Sequence, residues 1–195
     1  MEHELEHKKL RLWYLIVKLA IYVAIAVCVG LFQQGLLTYL KHFIGGLMVF
    51  YGLEEVLYLV LVHRARFYRE DKAYFGFVEL VLGIGMLFAP LSTETVCMIW
   101  ATWSIMREAV EIKEVILELK SWTSRTISLI ESIAVIIFSI MLIFVPDDEH
   151  ATTHLRILTI ELILAPMIPL LDLILVEMKA KSKRRNEARD EEETE

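Results

Sequence analysis

Several carboxylate side chains lie inside long apolar stretches of this sequence, where an ionised group needs a partner. Glu54 and Glu55 are adjacent in YGLEEVLYLV, residues 51–60, and the flanking residues are almost entirely apolar. An ionised side chain at the centre of a membrane-spanning helix costs about 2.5–3.5 kcal/mol. Carboxylates at such positions therefore pair with cations, hold protons or line a hydrated cavity.

Acidic residues recur at similar depths in the other apolar stretches, and two cations accompany them. A helical rise of ~1.5 Å per residue places most of them in one slab near the same end of the helices. We expect them to converge inside a helical bundle, because contact with lipid is too unfavourable. The predicted proton- or cation-binding cluster comprises Glu54, Glu55, Glu79, Glu108, Glu111, Glu131 and Asp172, with Lys18 and Arg107 as counter-charges.

The expected core of this cluster is Glu55, Glu79, Glu111 and Asp172, and Arg107 is its central counter-charge, nearer the midplane. Acidic groups outnumber the basic groups beside them, which favours shared protons or a bound cation. The alternative is a purely structural role, in which buried ion pairs fix helix register and topology. The sequence leaves both interpretations open.

Three acidic residues have a particular expected position. Glu54 and Glu55 are ~100° apart around a helix, so one can face the centre of the bundle and the other a neighbouring helix. Glu161 is expected outside the cluster, close to the outer end of the last apolar stretch.

The overall composition indicates a small multi-pass membrane protein. The chain has 195 residues, of which 56% are hydrophobic, and its mean hydropathy is +0.53. We predict an all-α integral membrane bundle (residues 12–178) between a cytoplasmic N-terminal segment (residues 1–11) and a charged cytoplasmic tail (residues 179–195). Its six predicted spans are residues 12–32, 43–62, 74–92, 95–117, 127–145 and 156–178. In a five-span alternative, the apolar part of the fourth stretch ends at Met106 and a surface helix follows.

Basic residues are concentrated in alternate connections, which predicts the orientation. Lys and Arg near spans favour the cytoplasmic side, and this bias places both termini in the cytoplasm. Both termini on one side require an even number of spans, which favours six over five. The predicted cytoplasmic cations include Lys8, Lys9, Arg11, Arg64, Arg66, Arg69, Lys72, Lys120, Arg125 and Lys179, whereas the opposite connections hold only Lys41 and Arg156.

A weak internal repeat supports a design of three helical hairpins. An offset of 56 residues aligns LFAP at 87–90 with IFVP at 143–146, and a second offset aligns LFQQ at 31–34 with LFAP. Because the period equals one helical hairpin, the sequence predicts three hairpins of like design. All three enter the membrane from the same side, unlike the inverted repeats of many transporters.

Other motifs give no sign of an enzyme or a metal centre. Cys28 and Cys97 fall inside predicted spans and are expected to be packing residues. His150 and His154 have i, i+4 spacing but lack a third firm ligand, so no metal is predicted. No nucleophile motif or cofactor loop is present in the sequence, and we predict a non-enzymatic protein without a cofactor or nucleic-acid partner.

The segment YFGFVELVLGIGMLFAPLSTETVCMIWATWSIMREAVEI, residues 74–112, combines a glycine-bearing helix, a proline, a loop, a tryptophan-bearing helix and an arginine followed by an acid. Its marker residues are Gly83, Gly85, Pro90, Trp103, Arg107 and Glu111. In these features the chain resembles the HdeD-like acid-resistance family of small multi-pass membrane proteins. The resemblance covers about residues 40–175, most loosely in 130–175, and the charged tail departs from it, as do the extra acids Glu54, Glu55, Glu131 and Asp172.

This resemblance implies six spans, a plasma-membrane location and a link to acid or envelope stress, and it assigns no catalytic residue. Three functions are therefore predicted as alternatives: a stress-related membrane protein whose acidic cluster exchanges protons, a small proton or cation transporter or channel, and a membrane scaffold or assembly subunit. The expected partners are the lipid bilayer, protons or a cation, and a second copy of the chain or another membrane protein.

Overall fold

The described part of the chain is all-helical. The computed structural model describes residues 2–58 and 71–192, so the end of the second predicted span and the cations Arg64, Arg66 and Arg69 lie outside the described residues. Within that part no strand is present. The helices are α1 (Glu2–Leu31), α2 (Gln33–Thr38), α3 (Leu40–Tyr58), α4 (Asp71–Phe88), α5 (Thr93–Glu118), α6 (Trp122–Phe144) and α7 (Asp148–Glu192).

The long helices run alternately in opposite directions. Tyr14 of α1 contacts Glu54 of α3, and Tyr22 of α1 packs against Tyr51 of α3. Gly45 and Gly52 of α3 meet Gly83 and Gly76 of α4, respectively. In both pairs the residue numbers rise on one helix as they fall on the other, so the helices are antiparallel. We call the end with the connections 89–92 and 145–147 the outer end, and the end with the turn 119–121 the inner end.

Helices α3 and α4 pack closely through four glycines, Gly45, Gly52, Gly76 and Gly83. A Cβ atom added at Gly52 would lie 2.5 Å from the Gly76 carbonyl oxygen, and one added at Gly83 would lie 2.7 Å from that of Gly45. Because a larger residue would separate the two backbones, these glycines set the distance between the helices. Gly46 and Gly85 of the same two helices have no atom within 4 Å of an added Cβ.

The central core is formed by large side chains from four helices. Tyr22 of α1, Tyr51 of α3, Trp100 of α5 and Leu155 of α7 are each at most 1% exposed and belong to one apolar cluster. Buried aromatic side chains of this size dominate the energetics of packing. This cluster surrounds the polar groups described below, so that they are shielded by apolar side chains on several helices.

The outer surface of the bundle is apolar, whereas one buried face is polar. Helix α6 exposes Ile130, Ile133 and Ile137 and buries Ser124, Ser128, Ser132 and Ser139. A helix on the surface of a water-soluble protein has the opposite arrangement. Small polar residues at helix contacts and large apolar residues outside are typical of membrane bundles.

Three helices in the described residues are long and apolar enough to cross a membrane. They are Leu12–Leu31, Trp122–Phe144 and Asp148–Lys179, and α4 adds a shorter apolar segment, Tyr74–Phe88. The chain is therefore all-helical with the character of a membrane protein. Helices α3 and α5 are less apolar, because α3 carries Glu54 and Glu55, and α5 carries Arg107, Glu108 and Glu111.

All six long helices of the described residues begin earlier in the chain than the predicted spans, and for α6 and α7 the difference changes the depth of a buried acid. Helix α6 starts at Trp122 and α7 at Asp148, whereas the predicted spans started at residues 127 and 156. The predicted spans were defined by runs of apolar residues, so they left out these first turns, which contain polar residues. The consequence is that Glu131 and Glu161 lie deeper from the helix ends than we expected.

The most extensive helix packing does not follow the predicted hairpins. The helix pairs with the most extensive contact are α3 with α4, α1 with α7, and α5 with α6. The α3–α4 and α5–α6 contacts join the end of one predicted hairpin to the start of the next. The repeat of three hairpins therefore stays a prediction about the sequence.

Candidate functional site

The centre of the candidate site is Arg107 of α5, a guanidinium buried among acidic and aromatic side chains. Arg107 is 6% exposed. Its Nε and Nη2 atoms donate to the same carboxylate oxygen of Glu111, at 3.1 and 3.0 Å. Glu111 is one turn further along α5, where i, i+4 side chains face each other. On the opposite side, Arg107 Nε lies 3.8 Å from a carboxylate oxygen of Glu161 on α7.

Aromatic rings cover the faces of this guanidinium. Its central carbon lies 3.4 Å from the centroid of the Tyr51 ring and 5.7 Å from that of Trp103. A cation over an aromatic face is stabilised by the ring quadrupole, more strongly when water is excluded. Tyr51, Trp103, Glu111 and Glu161 together keep the charge of Arg107 away from the apolar exterior.

Glu79 of α4 reaches the same region through Trp103. The indole Nε1 of Trp103 donates to Glu79 at 2.8 Å, and Glu79 is 2% exposed. Trp103 therefore contacts both the cation and one of the buried carboxylates. Because a hydrogen bond to a buried carboxylate fixes its orientation, Glu79 is held facing the Arg107 side of α5.

Glu108 of α5 is a completely buried carboxyl group. Its exposed fraction is 0%, and neither carboxyl oxygen has a hydrogen-bond partner in the part of the chain that the structure describes. Glu111, Glu161 and the hydroxyl of Ser132 are among its polar neighbours. An unpartnered buried polar group is unfavourable, which makes Glu108 a candidate for a functional residue.

Glu131 of α6 lies beside the same group of carboxylates. Glu161 and Glu108 are its nearby charges, and one of its oxygens is buried without a hydrogen-bond partner among the described residues. Nine residues separate it from the start of α6 at Trp122, a distance of ~13 Å along the helix. The sequence had placed it only about one turn inside its span.

A cleft leads to the cluster from between α3, α4 and α5. Glu55, Glu79, Arg107 and Glu111 line this cleft, together with Phe75 and Val110. Three of the four expected core carboxylates therefore share one cleft with Arg107. We use the name Arg107 cluster for Arg107 with Glu55, Glu79, Glu108, Glu111, Glu131 and Glu161.

The expectation that Glu161 lies apart from the acidic residues is wrong. Glu161 is 5% exposed and faces Arg107. It is 13 residues from the start of α7, and Arg107 is 14 residues from the start of α5, so both lie ~20 Å from the outer end. The last span was predicted from its apolar residues alone and therefore began too late in the sequence. Glu161 was consequently expected too close to the outer end.

Glu54 belongs to a separate polar group between α1 and α3. Lys18 Nζ lies 2.7 Å from Glu54, and the hydroxyls of Tyr14 and Tyr22 donate to the two Glu54 oxygens. Lys18 Nζ also lies 4.9 Å from the Tyr22 ring centroid. Every oxygen of this carboxylate has a donor, so the group connects the two helices by satisfied hydrogen bonds.

Asp172 of α7 binds backbone groups at the inner end. It accepts hydrogen bonds from the backbone N–H of Ser121 at 2.6 Å and of Lys120 at 3.2 Å. These residues immediately precede α6, whose first N–H groups have no partner within the helix. A carboxylate at this position also interacts favourably with the helix dipole. Asp172 thus holds the start of α6 against α7.

Sequence reasoning missed a buried polar contact on the outer side of Arg107. Ser104 Oγ lies 3.4 Å from His154 Nε2, and both residues are at most 5% exposed. The i, i+7 spacing of His154 and Glu161 and the i, i+4 spacing of Ser104 and Glu108 are the signals that place these residues on shared helix faces.

The outer loop forms a local polar turn. Asp147 accepts hydrogen bonds from the His150 backbone N–H at 2.8 Å and shares a 2.7 Å contact with His150 Nδ1. These bonds, the backbone one first, hold the pKa of Asp147 below its usual value. Among the described residues, no group of three or more His, Cys, Asp or Glu side chains is arranged to hold a metal ion.

Among the described residues, the site thus combines one buried arginine with a larger number of buried or half-buried carboxyl groups from five helices. Carboxyl groups placed this close together are able to share protons. No family model, curated protein or solved structure matches this chain. The resemblance of residues 74–112 to the HdeD-like family therefore stays an expectation.

Proposed function

We propose that this chain is a non-enzymatic, multi-pass membrane protein whose Arg107 cluster binds and releases protons as the pH on one side of the membrane changes. The observation that carries this proposal is the imbalance of charge around one buried arginine. Arg107 has two direct carboxylate neighbours, Glu111 and Glu161, while Glu108 is completely buried without a hydrogen-bond partner in the described residues.

Protonation lowers the energetic cost of placing several carboxyl groups together in a low-dielectric interior. Two carboxylates close together cannot both ionise without a large repulsion, so they share protons. A change in proton number then changes the attraction between α5, which carries Arg107, and α7, which carries Glu161. The proposed output is a change in how closely these helices pack, or in a contact with a partner protein.

Six crossings with both termini in the cytoplasm are part of this proposal. In the described part of the chain, six helices have at least 18 residues, and the basic residues favour the inner end as the cytoplasmic end. The cleft beside Glu55 and Glu111 then faces the cytoplasm. A plasma-membrane location and a link to acid or envelope stress come from the resemblance stated above and belong to the proposal.

The proposal is tested by infrared difference spectroscopy of the purified protein in lipid. A pH step should change the C=O absorption of protonated carboxyl groups, and Glu111→Gln with Glu161→Gln should remove much of this change. Glu94→Gln is a matched control, because Glu94 lies exposed in the first turn of α5. A folded double variant with an unchanged infrared titration refutes the proposal.

The scaffold alternative gives a different result in the same experiment. If the charges are purely structural, the carboxyl absorption does not respond to pH between the values at which the protein stays folded. Simultaneous neutral replacement of Arg107, Glu111 and Glu161 would then leave partner assembly intact wherever packing survives. The proton-exchange proposal expects assembly or helix packing to lose its pH dependence.

A further inference from the structure

A second polar site lies between the Arg107 cluster and the outer end of the bundle. His154 Nε2 of α7 is 3.4 Å from Ser104 Oγ of α5. The His154 ring packs edge-on against Trp100, with 4.4 Å between the ring centroids. His154 is 3% exposed. Its Nδ1 atom has no hydrogen-bond partner within the described ranges, so one ring nitrogen faces Ser104 and the other is not engaged.

Helical register aligns this pair with the Arg107 cluster. Ser104 precedes Glu108 by four residues, ~6 Å along α5, and His154 precedes Glu161 by seven residues, ~10.5 Å along α7. The contacts Ser104–His154 and Arg107–Glu161 show that α5 and α7 run parallel at this point. Polar side chains therefore occupy two successive levels of the same interface, with His154 on the outer side and Glu161 on the inner side.

Glu108 connects the two levels. It is one turn from Ser104 on the same face of α5, and its two buried oxygens have no hydrogen-bond partner in the described part of the chain. Towards the inner end, Glu111 and Glu161 are its charged neighbours. Glu111 in turn lines the cleft with Glu55 and Glu79.

We propose that His154, Ser104 and Glu108 form the outer half of a proton path that continues through the Arg107 cluster to the cleft, so that the protein conducts protons across the membrane. This inference rests on the proposed function, because the inner half of the path is the same Arg107 cluster. It adds the conducted species and an outer site that the acidic cluster alone does not provide.

Each group on the path has the chemistry that a proton transfer needs. Imidazole takes a proton on one nitrogen and releases one from the other, and a serine hydroxyl donates and accepts at the same oxygen. A proton arriving at His154 Nδ1 forms the imidazolium. Its Nε2 proton then passes to Ser104 Oγ, and the Ser104 hydroxyl proton moves to the Glu108 carboxylate once side-chain rotation brings these two groups, one helical turn apart, into hydrogen-bond distance.

This step leaves a neutral imidazole and a neutral Glu108 carboxylic acid, so protons and charge balance. Glu108 releases its proton to Glu111, directly or through Glu161, and Glu111 releases it to water in the cleft. The groups that face this route are Arg107 and Glu111 of α5, Glu79 of α4, Tyr51 of α3, Glu131 of α6 and Glu161 of α7.

The route favours protons over metal cations. Trp100, which packs against His154, is 0% exposed and fills the surrounding space. A proton needs only a chain of hydrogen-bonding groups, whereas a sodium or potassium ion needs room for several oxygen ligands.

Proteoliposomes test this inference directly. A potassium diffusion potential set with valinomycin should drive proton uptake, reported by a trapped pH dye, above that of empty liposomes. His154→Ala, Ser104→Ala and Glu108→Gln should each lower this uptake, and a loss of about 100-fold is expected from removal of a positioned proton-transfer group. Ser104→Thr keeps the hydroxyl and should keep the flux.

His150→Gln is the matched histidine control, because His150 lies in the same outer segment but contacts Asp147. Wild-type protein without flux, or unchanged flux in folded His154→Ala and Ser104→Ala variants, overturns the path. If flux is absent while the infrared titration of the Arg107 cluster persists, the path fails and the proton-exchange function stands. If both are absent, the proposed function itself fails.

Discussion

The guanidinium carbon of Arg107 lies 3.4 Å from the centre of the Tyr51 ring. This contact joins α5 to α3 at a buried position, and it orients the guanidinium so that its edge reaches Glu111 and Glu161. Tyr51 is 1% exposed, so the ring takes the place that water would have around the cation. The Arg107 cluster is therefore organised by an aromatic core as well as by opposite charge.

Replacing Arg107 by Gln should strongly destabilise the bundle. Removal of one member of a buried ion pair costs about 3–5 kcal/mol, because the remaining charges lose their partner. The free energy of unfolding, measured by titration with a denaturing detergent, should fall by this order. Lys113→Gln is the control on the same helix, since Lys113 is exposed and surface charges contribute about 0–1 kcal/mol.

Arg107→Lys separates charge from shape. Lysine keeps the positive charge but lacks the planar group that stacks on Tyr51 and donates twice to Glu111. We expect a stability between those of the wild type and Arg107→Gln. If Arg107→Lys is as stable as the wild type, the stacking on Tyr51 contributes nothing.

Gly52→Ala should separate α3 from α4. The added Cβ would meet the Gly76 carbonyl oxygen at 2.5 Å and the Leu80 backbone nitrogen at 2.8 Å, so the backbones themselves must move apart. Overpacking of this kind costs about 1–3 kcal/mol. Thermal unfolding in detergent should report a lower Tm for Gly52→Ala.

Gly46→Ala provides the matched control for that substitution. Gly46 is in the same helix, but nothing lies within 4 Å of its added Cβ. Because alanine has the higher helix propensity, this variant should be neutral or slightly more stable. Equal losses of stability at Gly46 and Gly52 would contradict the close packing as the cause.

We expect strong energetic coupling between Lys18 and Glu54, and none between Lys18 and Glu55. Lys18→Met and Glu54→Gln remove the two partners of the 2.7 Å ion pair. Residues in one hydrogen-bonded network show coupling energies of about 0.5–3 kcal/mol in a double-mutant cycle. The measurement is the unfolding free energy of both single variants and the double variant.

The comparison pair in this cycle is Lys18 with Glu55. Glu55 lines the cleft beside Arg107, so Lys18→Met and Glu55→Gln should be additive within about 0.3–0.5 kcal/mol. Additivity in the Lys18–Glu54 cycle, or coupling in the Lys18–Glu55 cycle, would show that the two adjacent glutamates do not belong to different groups.

The sequence was sufficient to predict that the charged side chains of the apolar helices face other helices, because one physical constraint governs them. An ionised group in an apolar helix has to face other helices, and the structure places Arg107, Glu79 and Glu111 along one cleft between helices. Lys18, predicted as a counter-charge, is half-buried and pairs with Glu54, and the ~100° separation of adjacent residues agrees with the different surroundings of Glu54 and Glu55.

Helix starts and specific contacts were beyond the reach of the same rule. A hydropathy count ignores polar first turns, so it began α7 at residue 156 and misplaced Glu161. The Tyr51–Arg107 stacking and the Ser104–His154 contact depend on which helices become neighbours, and local sequence does not contain that information. The four glycines of α3 and α4 carry a packing signal, but only the structure identifies which glycines pair.

Asp172 gives the last test, because the sequence placed it in the proton-binding core and the structure gives it backbone partners. Asp172→Ala should leave the N–H groups of Lys120 and Ser121 without their acceptor, and loss of such a cap costs about 0.5–2 kcal/mol. Hydrogen exchange at these two amides should accelerate. Asp172→Asn keeps one acceptor oxygen and should have a smaller effect.

The infrared titration decides between the two roles of this residue. If Asp172 serves only to hold the start of α6, Asp172→Asn leaves the pH-dependent carboxyl absorption and the proton flux unchanged. A loss of that absorption in a folded Asp172→Asn protein would instead make Asp172 a member of the proton-exchanging set. In that case the path from the cleft would extend to the turn at residues 119–121, since Asp172 contacts the backbone there.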